Sequence, residues 1–260
     1  MKQITFDHID NPATIYAENE LYRHFHYPEM LKRYDSNFIE FKKMPTVEEF
    51  KKAADFLREF HMQRGQKHVK FAFPENEKIS EEVTAYLTNE NYDIGFYELY
   101  AIRPDHFPNV GKHPDIEIKV VTSEIFDVFL KLQYEQDLTF GEEFADQKVG
   151  LHKRNFENPN IVQILAYYQG TPAGSVQVII SDEYAEIDDL VVDDEFQRKG
   201  IGSRLQRLVM DMYNDKTVIL VADGEDTPRD MYRKQNYQYI GFKYNAQKVY
   251  EVCTIFNEGQ

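Results

Sequence analysis

The sequence is poor in cysteine, has no tryptophan and carries no excess of basic charge. Its single cysteine, Cys253, excludes a disulfide within the chain, and because no histidine or asparagine partner can be argued for it, a buried small residue is favoured over a nucleophile. Lysine and arginine total 30 against 45 acidic residues, a formal net charge of −15 that argues against a nucleic-acid partner. The acidic excess fits either a cationic substrate or plain solubility.

Long apolar runs are also missing. No stretch approaches the roughly 18 apolar residues that cross a bilayer, and the N-terminus has no apolar signal-peptide core. We therefore expect a cytoplasmic protein without a membrane partner. Of the eight histidines, only His24 and His26 form a close pair, so no metal site is predicted. A chain of 260 residues with 42% hydrophobic content is enough for one large globular domain or two small ones.

The division of the chain is indicated by a segment rich in proline. Residues 103–114 hold Pro104, Pro108, Gly111 and Pro114, which is typical of a connection between domains. We therefore predict a first domain over 1–104, a linker over 105–114 and a second domain over 115–260.

Alternating strand and helix patterns run through both halves. In the first half, the clearest helix signal is Thr46 followed by Glu49, a capping box that opens a helix to Arg64. Further elements are predicted in the first half as a strand at 38–41, a strand at 68–73, a helix from Ser80 to Asn89 and a strand at 92–102. In the second half they are a strand at 116–121, a helix from Ser123 to Tyr134, a polar loop at 135–145, a helix to Phe156, strands at 161–168, 173–180 and 184–192, a helix at 202–214, a strand at 217–222, a helix at 227–235 and a strand at 239–244.

A faint internal repeat connects the two halves. The segment 91–96 (NYDIGF) is echoed by 236–242 (NYQYIGF) with one insertion, and each copy follows a helix that carries a tyrosine, Tyr86 or Tyr232. Either the halves share a structural repeat, or the echo is a coincidence in a chain rich in tyrosine and asparagine.

The motif with the clearest chemistry lies between residues 184 and 214. A strand ending at Val192 is followed by a loop with the sequence Gln197-Arg198-Lys199-Gly200-Ile201-Gly202 and then by an amphipathic helix. Glycines permit positive φ and close approach of the backbone, so successive N–H groups can point outward together at the start of the helix. Such a nest, backed by the positive end of the helix dipole, suits a pyrophosphate. It matches neither the dinucleotide fingerprint nor a Walker loop.

In these residues the chain resembles the GNAT superfamily of acetyl-CoA-dependent N-acetyltransferases. The resemblance covers roughly residues 116–252 and rests on Gln197, Gly200 and Gly202, the family's Gln/Arg-x-x-Gly-x-Gly/Ala signature, together with the helix end around Tyr232. It implies an α/β (α+β) fold with a GNAT-type mixed, mostly antiparallel sheet flanked by helices. The sequence departs from the family at Glu225, where many members have asparagine, and at Asn236, where glycine is usual.

The resemblance also implies the reaction and the residues that perform it. An amine attacks the thioester of acetyl-CoA directly in a ternary complex, and Tyr232 protonates the leaving thiolate. The cofactor would be held by residues on either side of the loop: Leu190, Val191 and Val192 along the pantetheine arm, and Gln197, Arg198, Lys199, Gly200, Ile201, Gly202 and Ser203 around the pyrophosphate.

A general base is needed because an ordinary amine with a pKa near 10.4 is neutral in only about one molecule in a few thousand at pH 7. Glu186 lies where the histone-acetyltransferase branch has its glutamate base, and alternation along a strand places Asp188 on the same face and Asp189 on the other. We expect Glu186 or Asp188 to serve, unless this face of the strand merely meets solvent.

The acceptor is the least determined part of the reaction. The acidic residues Glu135, Asp137, Glu142 and Glu143 fall in the loop that lines the acceptor site in this family, where they either select a cationic amine or are simply solvated. We expect a small-molecule or peptide amine and leave a homodimer open. The rival interpretation is a non-catalytic module that binds acyl-CoA or a protein. For the first half we predict a smaller, degenerate GNAT-like domain, since it lacks the glycine signature.

Overall fold

The computed structural model of the chain describes residues 3–225 and 228–250, so Cys253 and Thr227, the predicted start of the last helix, lie outside the described residues. The strands are β1 Thr14–Glu18, β2 Tyr22–His26, β3 Phe38–Phe41, β4 His68–Ala72, β5 Asp93–Ile102, β6 Ile116–Val120, β7 Ile161–Tyr168, β8 Thr171–Ile180, β9 Tyr184–Val192, β10 Thr217–Asp223 and β11 Gln238–Val249. The helices are α1 Val47–Met62, α2 Glu81–Asn89, α3 Phe126–Asp137, α4 Glu142–Glu157, α5 Ile201–Met212 and α6 Pro228–Lys234.

The chain forms two compact units. Unit 1 combines the residues up to Asp10 with Glu98–Gly241, and unit 2 combines Asn11–Tyr97 with the described residues from Phe242 onward. The proline-rich segment 105–114 lies inside unit 1, where Phe107 is buried in the core. Among the described residues, no helix combines the length and apolarity that would let it cross a bilayer.

Unit 1 is a sheet covered by helices on both faces. Its strands follow the order β5-β10-β9-β8-β7-β6, antiparallel from β6 to β9 and parallel between β9 and β10. On one face, Ile164 and Ala166 of β7 belong to the core that contains Leu205 of α5. On the other face, Leu165 packs with Phe129 of α3. Alternation along β7 therefore separates α5 from α3 across the sheet.

Unit 2 repeats this plan on a smaller scale. Its strands follow the order β1-β2-β3-β4-β11, with β3 and β4 parallel and the β1–β2, β2–β3 and β4–β11 pairs antiparallel. The core is built from phenylalanine side chains of β3, α1 and β4, including Phe41, Phe50 and Phe71, which are at most 1% exposed. Stacked and tilted aromatic pairs of this kind add to the stability supplied by area burial alone.

The predicted internal repeat is visible in the order and geometry of the elements. The segments β3-α1-β4-α2-β5 and β9-α5-β10-α6-β11 have the same order, and each begins with a parallel strand pair. Asn91 and Asn236 both take the left-handed conformation, with φ of 57° and 67°. In each segment, the residue after this asparagine donates its N–H to the carbonyl five residues earlier: Tyr92 to Leu87 and Tyr237 to Tyr232, both at 3.0 Å. Both helices therefore end in a Schellman motif with asparagine in place of glycine.

The last strand of each half lies with the strands of the other half. Residues 98–102 of β5, from the first half, neighbour β10 in unit 1, while residues 245–249 of β11, from the second half, pair with β4 in unit 2. Each unit therefore needs residues from both halves of the sequence to complete its sheet.

The fold class, a mixed and mostly antiparallel sheet flanked by helices, is confirmed, but three local predictions were wrong. Strands β1 and β2 were missed because β2 buries His24 and His26 instead of apolar residues, which hides the two-residue period. Residues 135–145 are largely helical rather than a loop, and Glu142 and Glu143 form the acidic first turn of α4, where they favour the helix dipole. Ser123 does not cap α3, which starts after Ile125 without a side-chain cap.

Candidate active site

The candidate site begins where two parallel strands separate. The register between β9 and β10 runs from the Tyr184–Thr217 pair to the Ile187–Leu220 pair, although β9 continues to Val192. Directly after this last pair, β9 contains a β-bulge: Gln177 and Ser175 of β8 lie opposite Asp188 and Val191, so β9 holds one extra residue. Asp189 takes up the extra residue with φ of 52°. The backbone of 190–192 is thereby turned away from the β10 ladder at the carboxyl end of the strand, a common place for ligands in α/β sheets.

The loop that follows β9 has the backbone shape of an anion nest. Arg198 has φ of 60° and Gly200 has φ of 82°, and α5 begins at Ile201 directly after this left-handed glycine. Within the described part of the chain, no side chain caps α5. The first four N–H groups of a helix have no partner within the helix, so those of α5 are available to an anion, with the helix dipole behind them.

The two glycines of the signature have different surroundings, and the positive φ favours glycine at position 200. A Cβ on Gly200 would lie 2.5 Å from Nη1 of Arg204, whose guanidinium donates to the Gly200 carbonyl at 2.9 Å and to the Gly111 carbonyl at 2.8 Å. A Cβ on Gly202 would meet a methyl group of Val192 at 3.8 Å, an ordinary contact distance, so the start of α5 lies beside the end of β9 with room for a small side chain. Arg204 thus adds a positive charge to the nest and fixes its last turn.

The remaining residues of the predicted cofactor site surround this nest. Gln197 donates to Asp194 at 2.7 Å and shapes the loop, Lys199 lies over the ring of Tyr168 at 5.4 Å, and Arg198 is exposed. Leu190, Val192 and Ile201 contribute to the hydrophobic core under the loop, with Ile201 fully buried, while Val191 pairs with β8. The Ser203 oxygen accepts from Nε2 of Gln235 at 3.2 Å, which joins the first turn of α5 to the end of α6 and leaves the Ser203 hydroxyl proton available to a ligand.

The equivalent helix of unit 2, α1, differs from α5 because side chains cap its first turn. At the start of α1, Thr46 accepts from the Glu49 N–H at 3.3 Å and the Glu49 carboxylate accepts from the Thr46 N–H at 2.9 Å. Side chains therefore already occupy these N–H groups, and Glu48 and Glu49 place negative charge in the first turn. This end would repel an anion, so of these two matching helix starts only that of α5 suits a phosphate.

Tyr232 belongs to a cluster of buried aromatic side chains. It is 8% exposed, and its ring lies 5.3 Å from that of Tyr100 and 5.4 Å from that of Tyr237. The Tyr237 hydroxyl donates to Gln206 of α5 at 2.8 Å, which fixes the C-terminal end of α6 against α5. Tyr232 therefore belongs to the same core as Ile201 at the start of α5.

The two candidate bases have different surroundings. Glu186 is 8% exposed, and its carboxylate accepts from the Asp10 N–H at 2.8 Å, which anchors the N-terminal segment to β9. Asp188 is only partly buried and lies next to the bulge, where it accepts from Nε2 of Gln177 at 3.1 Å. Gln177 in turn accepts from Asn155 of α4 at 2.8 Å. Asp188 is thus held by a hydrogen-bonded chain near the point where β9 leaves β10.

Asp189 contradicts the alternation that the sequence suggested. Nζ of Lys148 in α4 contacts its carboxylate at 2.8 Å, so Asp189 points to the helix that also supports Asp188 through Asn155 and Gln177. The cause is the bulge, because one extra residue shifts every later side chain to the other face. A possible signal in the sequence was the Asp-Asp pair itself, since aspartate is one of the few residues that tolerate a left-handed conformation.

A group of polar side chains on α3 also contributes to the site, although no sequence motif marks it. Gln133 donates to Ser175 of β8 and Gln136 donates to Asp193 after β9, both at 2.6 Å. Asp137, predicted to be part of an acidic acceptor loop, is instead buried with His152 of α4 at 3.4 Å. These contacts hold α3 and α4 at the carboxyl end of β9. Nothing in the spacing of these glutamines distinguished them from surface residues.

Comparison with known proteins agrees with this architecture. The model of the acetyltransferase (GNAT) family matches residues 129–237, and that of a domain of unknown function, DUF5613, matches residues 4–100. A search of the curated proteins found no match.

Three solved structures show the same arrangement over most of the chain. A functionally unknown conserved protein from Staphylococcus epidermidis is 33% identical, with a TM-score of 0.87 over 95% of this chain and 98% of that one. A GCN5-related N-acetyltransferase from Kribbella flavida has 13% identity and a TM-score of 0.56, covering 89% and 88%. A tandem GNAT protein from the clavulanic acid biosynthesis pathway has 10% identity and a TM-score of 0.50, covering 82% and 75%. The last two likenesses show the fold alone. Residues 129–237 therefore form an acetyltransferase domain of the GNAT family, and a DUF5613 domain lies ahead of it in the chain.

Proposed function

We propose that this GNAT protein transfers an acetyl group from acetyl-CoA to a primary amine, by direct attack of the amine on the thioester in a ternary complex. The observation that carries the proposal is the continuity of the site. The bulged end of β9, the loop with Arg198 and Gly200 at positive φ, and the uncapped start of α5 follow one another in the chain.

Each part of this site would contact one part of the cofactor. The N–H groups of residues 198–202, with the side chains of Gln197, Lys199 and Ser203 around them, would hold the pyrophosphate. The backbone of 190–192, released from the β10 ladder by the bulge, would pair with the pantetheine arm and hold the thioester oxygen. Backbone donors placed in advance of the reaction need no reorganisation as the oxyanion develops, which is their catalytic advantage.

The proton transfers are assigned to Asp188 and Tyr232. As the amine nitrogen bonds to the thioester carbon, Asp188 takes up the proton lost by the amine, directly or through water. As the carbon–sulfur bond breaks, the Tyr232 hydroxyl gives its proton to the thiolate. Asp188 is favoured over Glu186 because Glu186 is buried and already accepts the Asp10 N–H, whereas Asp188 is more exposed and adjoins the bulge. A positioned base of this kind contributes about 10²–10⁴-fold in rate.

The acceptor would approach beneath the turn between α3 and α4. Gln136 bound to Asp193 and Lys148 bound to Asp189 hold both sides of this turn at the end of β9. Phe140 in the turn is 74% exposed, and the neighbouring Glu142 and Glu143 are exposed as well. This combination favours an amine that is cationic in solution and carries an apolar group.

Release of free thiol from acetyl-CoA tests the proposal, measured across a panel of small amines and lysine peptides. We expect amine-dependent thiol release that falls by about 10²-fold or more in Tyr232→Phe and in Asp188→Asn, and that is unchanged in Met62→Ser, an exposed residue of α1. Acetyl-CoA binding without turnover across the panel would overturn the proposal. That outcome would favour an acyl-CoA-binding module, the interpretation motivated by Glu225 and Asn236 at positions where family members usually have asparagine and glycine.

A further inference from the structure

We propose that Glu98 and Arg229 are positioning residues that hold α6, and with it Tyr232, in place for proton transfer to the leaving thiolate. The inference rests on the proposed function, and it assigns a role in the reaction to a strand from the first half of the chain. Glu98 lies in the part of β5 that belongs to unit 1, together with α6.

Glu98 is a buried carboxylate with both oxygens engaged. Its side chain is 1% exposed, one oxygen accepts from the Tyr100 hydroxyl at 2.6 Å, and the other lies 2.5 Å from Nη2 of Arg229. A carboxylate without partners at such a position would be strongly disfavoured, so this pairing constrains where α6 can lie. Burial and the hydrogen bond to Glu98 raise the pKa of Tyr100 to about 12, so its hydroxyl remains a donor throughout the neutral range.

Two routes connect Glu98 to Tyr232. Arg229 precedes Tyr232 by three positions in α6, and residues three apart lie on the same side of a helix. Tyr100, the other partner of Glu98, places its ring 5.3 Å from the Tyr232 ring. The carboxylate therefore holds both the helix that carries Tyr232 and the aromatic ring against which Tyr232 packs.

The length of α6 makes such an anchor important. The helix has seven residues, and helices this short are not stable without tertiary contacts. Its C-terminal end is tied to α5 by the bonds from Gln235 to Ser203 and from Tyr237 to Gln206. At its N-terminal end, Arg229 joins α6 to the sheet through its ion pair with Glu98 and a hydrogen bond with Tyr100.

A double-mutant cycle separates positioning of Tyr232 from general destabilisation. Glu98→Gln keeps the shape of the side chain, and Arg229→Met removes the opposite charge from a more exposed position. We expect each to lower kcat by roughly tenfold or more, with KM for acetyl-CoA nearly unchanged, because a displacement of about 1 Å is costly in catalysis. In the Tyr232→Phe background, the same substitutions should cause no further loss of kcat. The control is Asp211→Asn, which breaks the Arg207–Asp211 surface ion pair of α5 and should leave kcat unchanged.

Hydrogen exchange provides a readout that does not depend on turnover. We expect Glu98→Gln and Arg229→Met to speed exchange of the amides of 231–237 by roughly tenfold, with those of α5 unaffected. Equal losses of kcat with and without the Tyr232 hydroxyl, or unchanged kcat and exchange in both variants, would overturn the inference. If the wild-type protein has no amine-dependent turnover, the proposed function fails, and exchange alone then decides whether Glu98 and Arg229 anchor α6.

Discussion

Gly174 of β8 provides a sharp test of the site at the end of β9. It lies opposite Val192 in the ladder, and a Cβ added to it would stand 2.6 Å from the Val191 carbonyl oxygen and 3.0 Å from Cα of Val192. These are backbone atoms, which cannot rotate away as the end of a flexible side chain can. The substitution Gly174→Ala must therefore displace the segment that we propose pairs with the pantetheine arm.

The size of the effect follows from this geometry. Forcing a methyl group into a well-packed site typically costs about 1–3 kcal/mol, and for a chain of about this size each kcal/mol lowers Tm by roughly 2–4 °C. We therefore expect Gly174→Ala to lower Tm by roughly 2–12 °C, with a loss of acetyl-CoA affinity in addition. Thermal unfolding followed by circular dichroism and titration calorimetry with acetyl-CoA measure the two effects.

Gly150 in α4 offers a matched control for the same added methyl group. A Cβ there would meet only the end of the Arg154 side chain, at 3.5 Å. Because glycine disfavours a helix interior, Gly150→Ala should stabilise the protein by about 0.5–1 kcal/mol and leave acetyl-CoA affinity unchanged. If Gly174→Ala keeps the wild-type Tm and affinity, the close packing of β8 against the end of β9 is not needed for the site, and the reasoning is refuted.

Three further predictions concern acid stability, the nest and the acceptor. Burial lowers the pKa of His24 to about 3, of His61 to about 4 and of His68 to about 3. Below pH 6.5, the ordinary pKa of histidine, these side chains are therefore protonated in the unfolded chain but remain neutral in the folded protein. Urea unfolding should therefore show stability falling from pH 6.5 towards 4, by up to about 1.4 kcal/mol per pH unit for each histidine, and equal stability at pH 7 and 5 would contradict this. Thr46→Ala removes the cap of α1 and should cost about 1 kcal/mol in denaturant unfolding without changing acetyl-CoA affinity in calorimetry; a loss of affinity would contradict the assignment of the anion site to α5 alone. Phe140→Ser should lower kcat/KM for amines with an apolar group by roughly 10–100-fold, as expected for losing burial of one aromatic side chain, and an equal loss for small polar amines would argue against the acceptor contact.

The central site could be predicted because its signals are local in sequence. Strand β9 was predicted with the bounds the structure gives, and Gly200 and Gly202 mark the start of α5. Periodicity reveals the strand and the amphipathic helix, and glycine reveals the need for positive φ. The capping box at Thr46 and Glu49 was equally visible, because both of its residues lie within one helical turn.

The remaining features depend on residues far apart in the chain. The hydrogen bond from the Asp10 N–H to Glu186 and the pairing of Glu98 with Arg229 bring together distant segments that no local pattern connects. The exchange of last strands between the halves is likewise a property of tertiary pairing, since β5 and β11 both contain Ile-Gly-Phe near their starts and no local signal assigns either strand to a sheet. The bulge at Asp189 escaped detection because one inserted residue changes the pairing without changing the hydrophobic pattern.

A crystal structure with acetyl-CoA tests the central claim most directly. We predict pyrophosphate oxygens within about 3 Å of the N–H groups of residues 200–202, with the thioester at the backbone of residues 190–192, where β9 leaves β10. Acetyl-CoA bound elsewhere on the chain, or a pyrophosphate that makes no contact with the start of α5, would contradict the account.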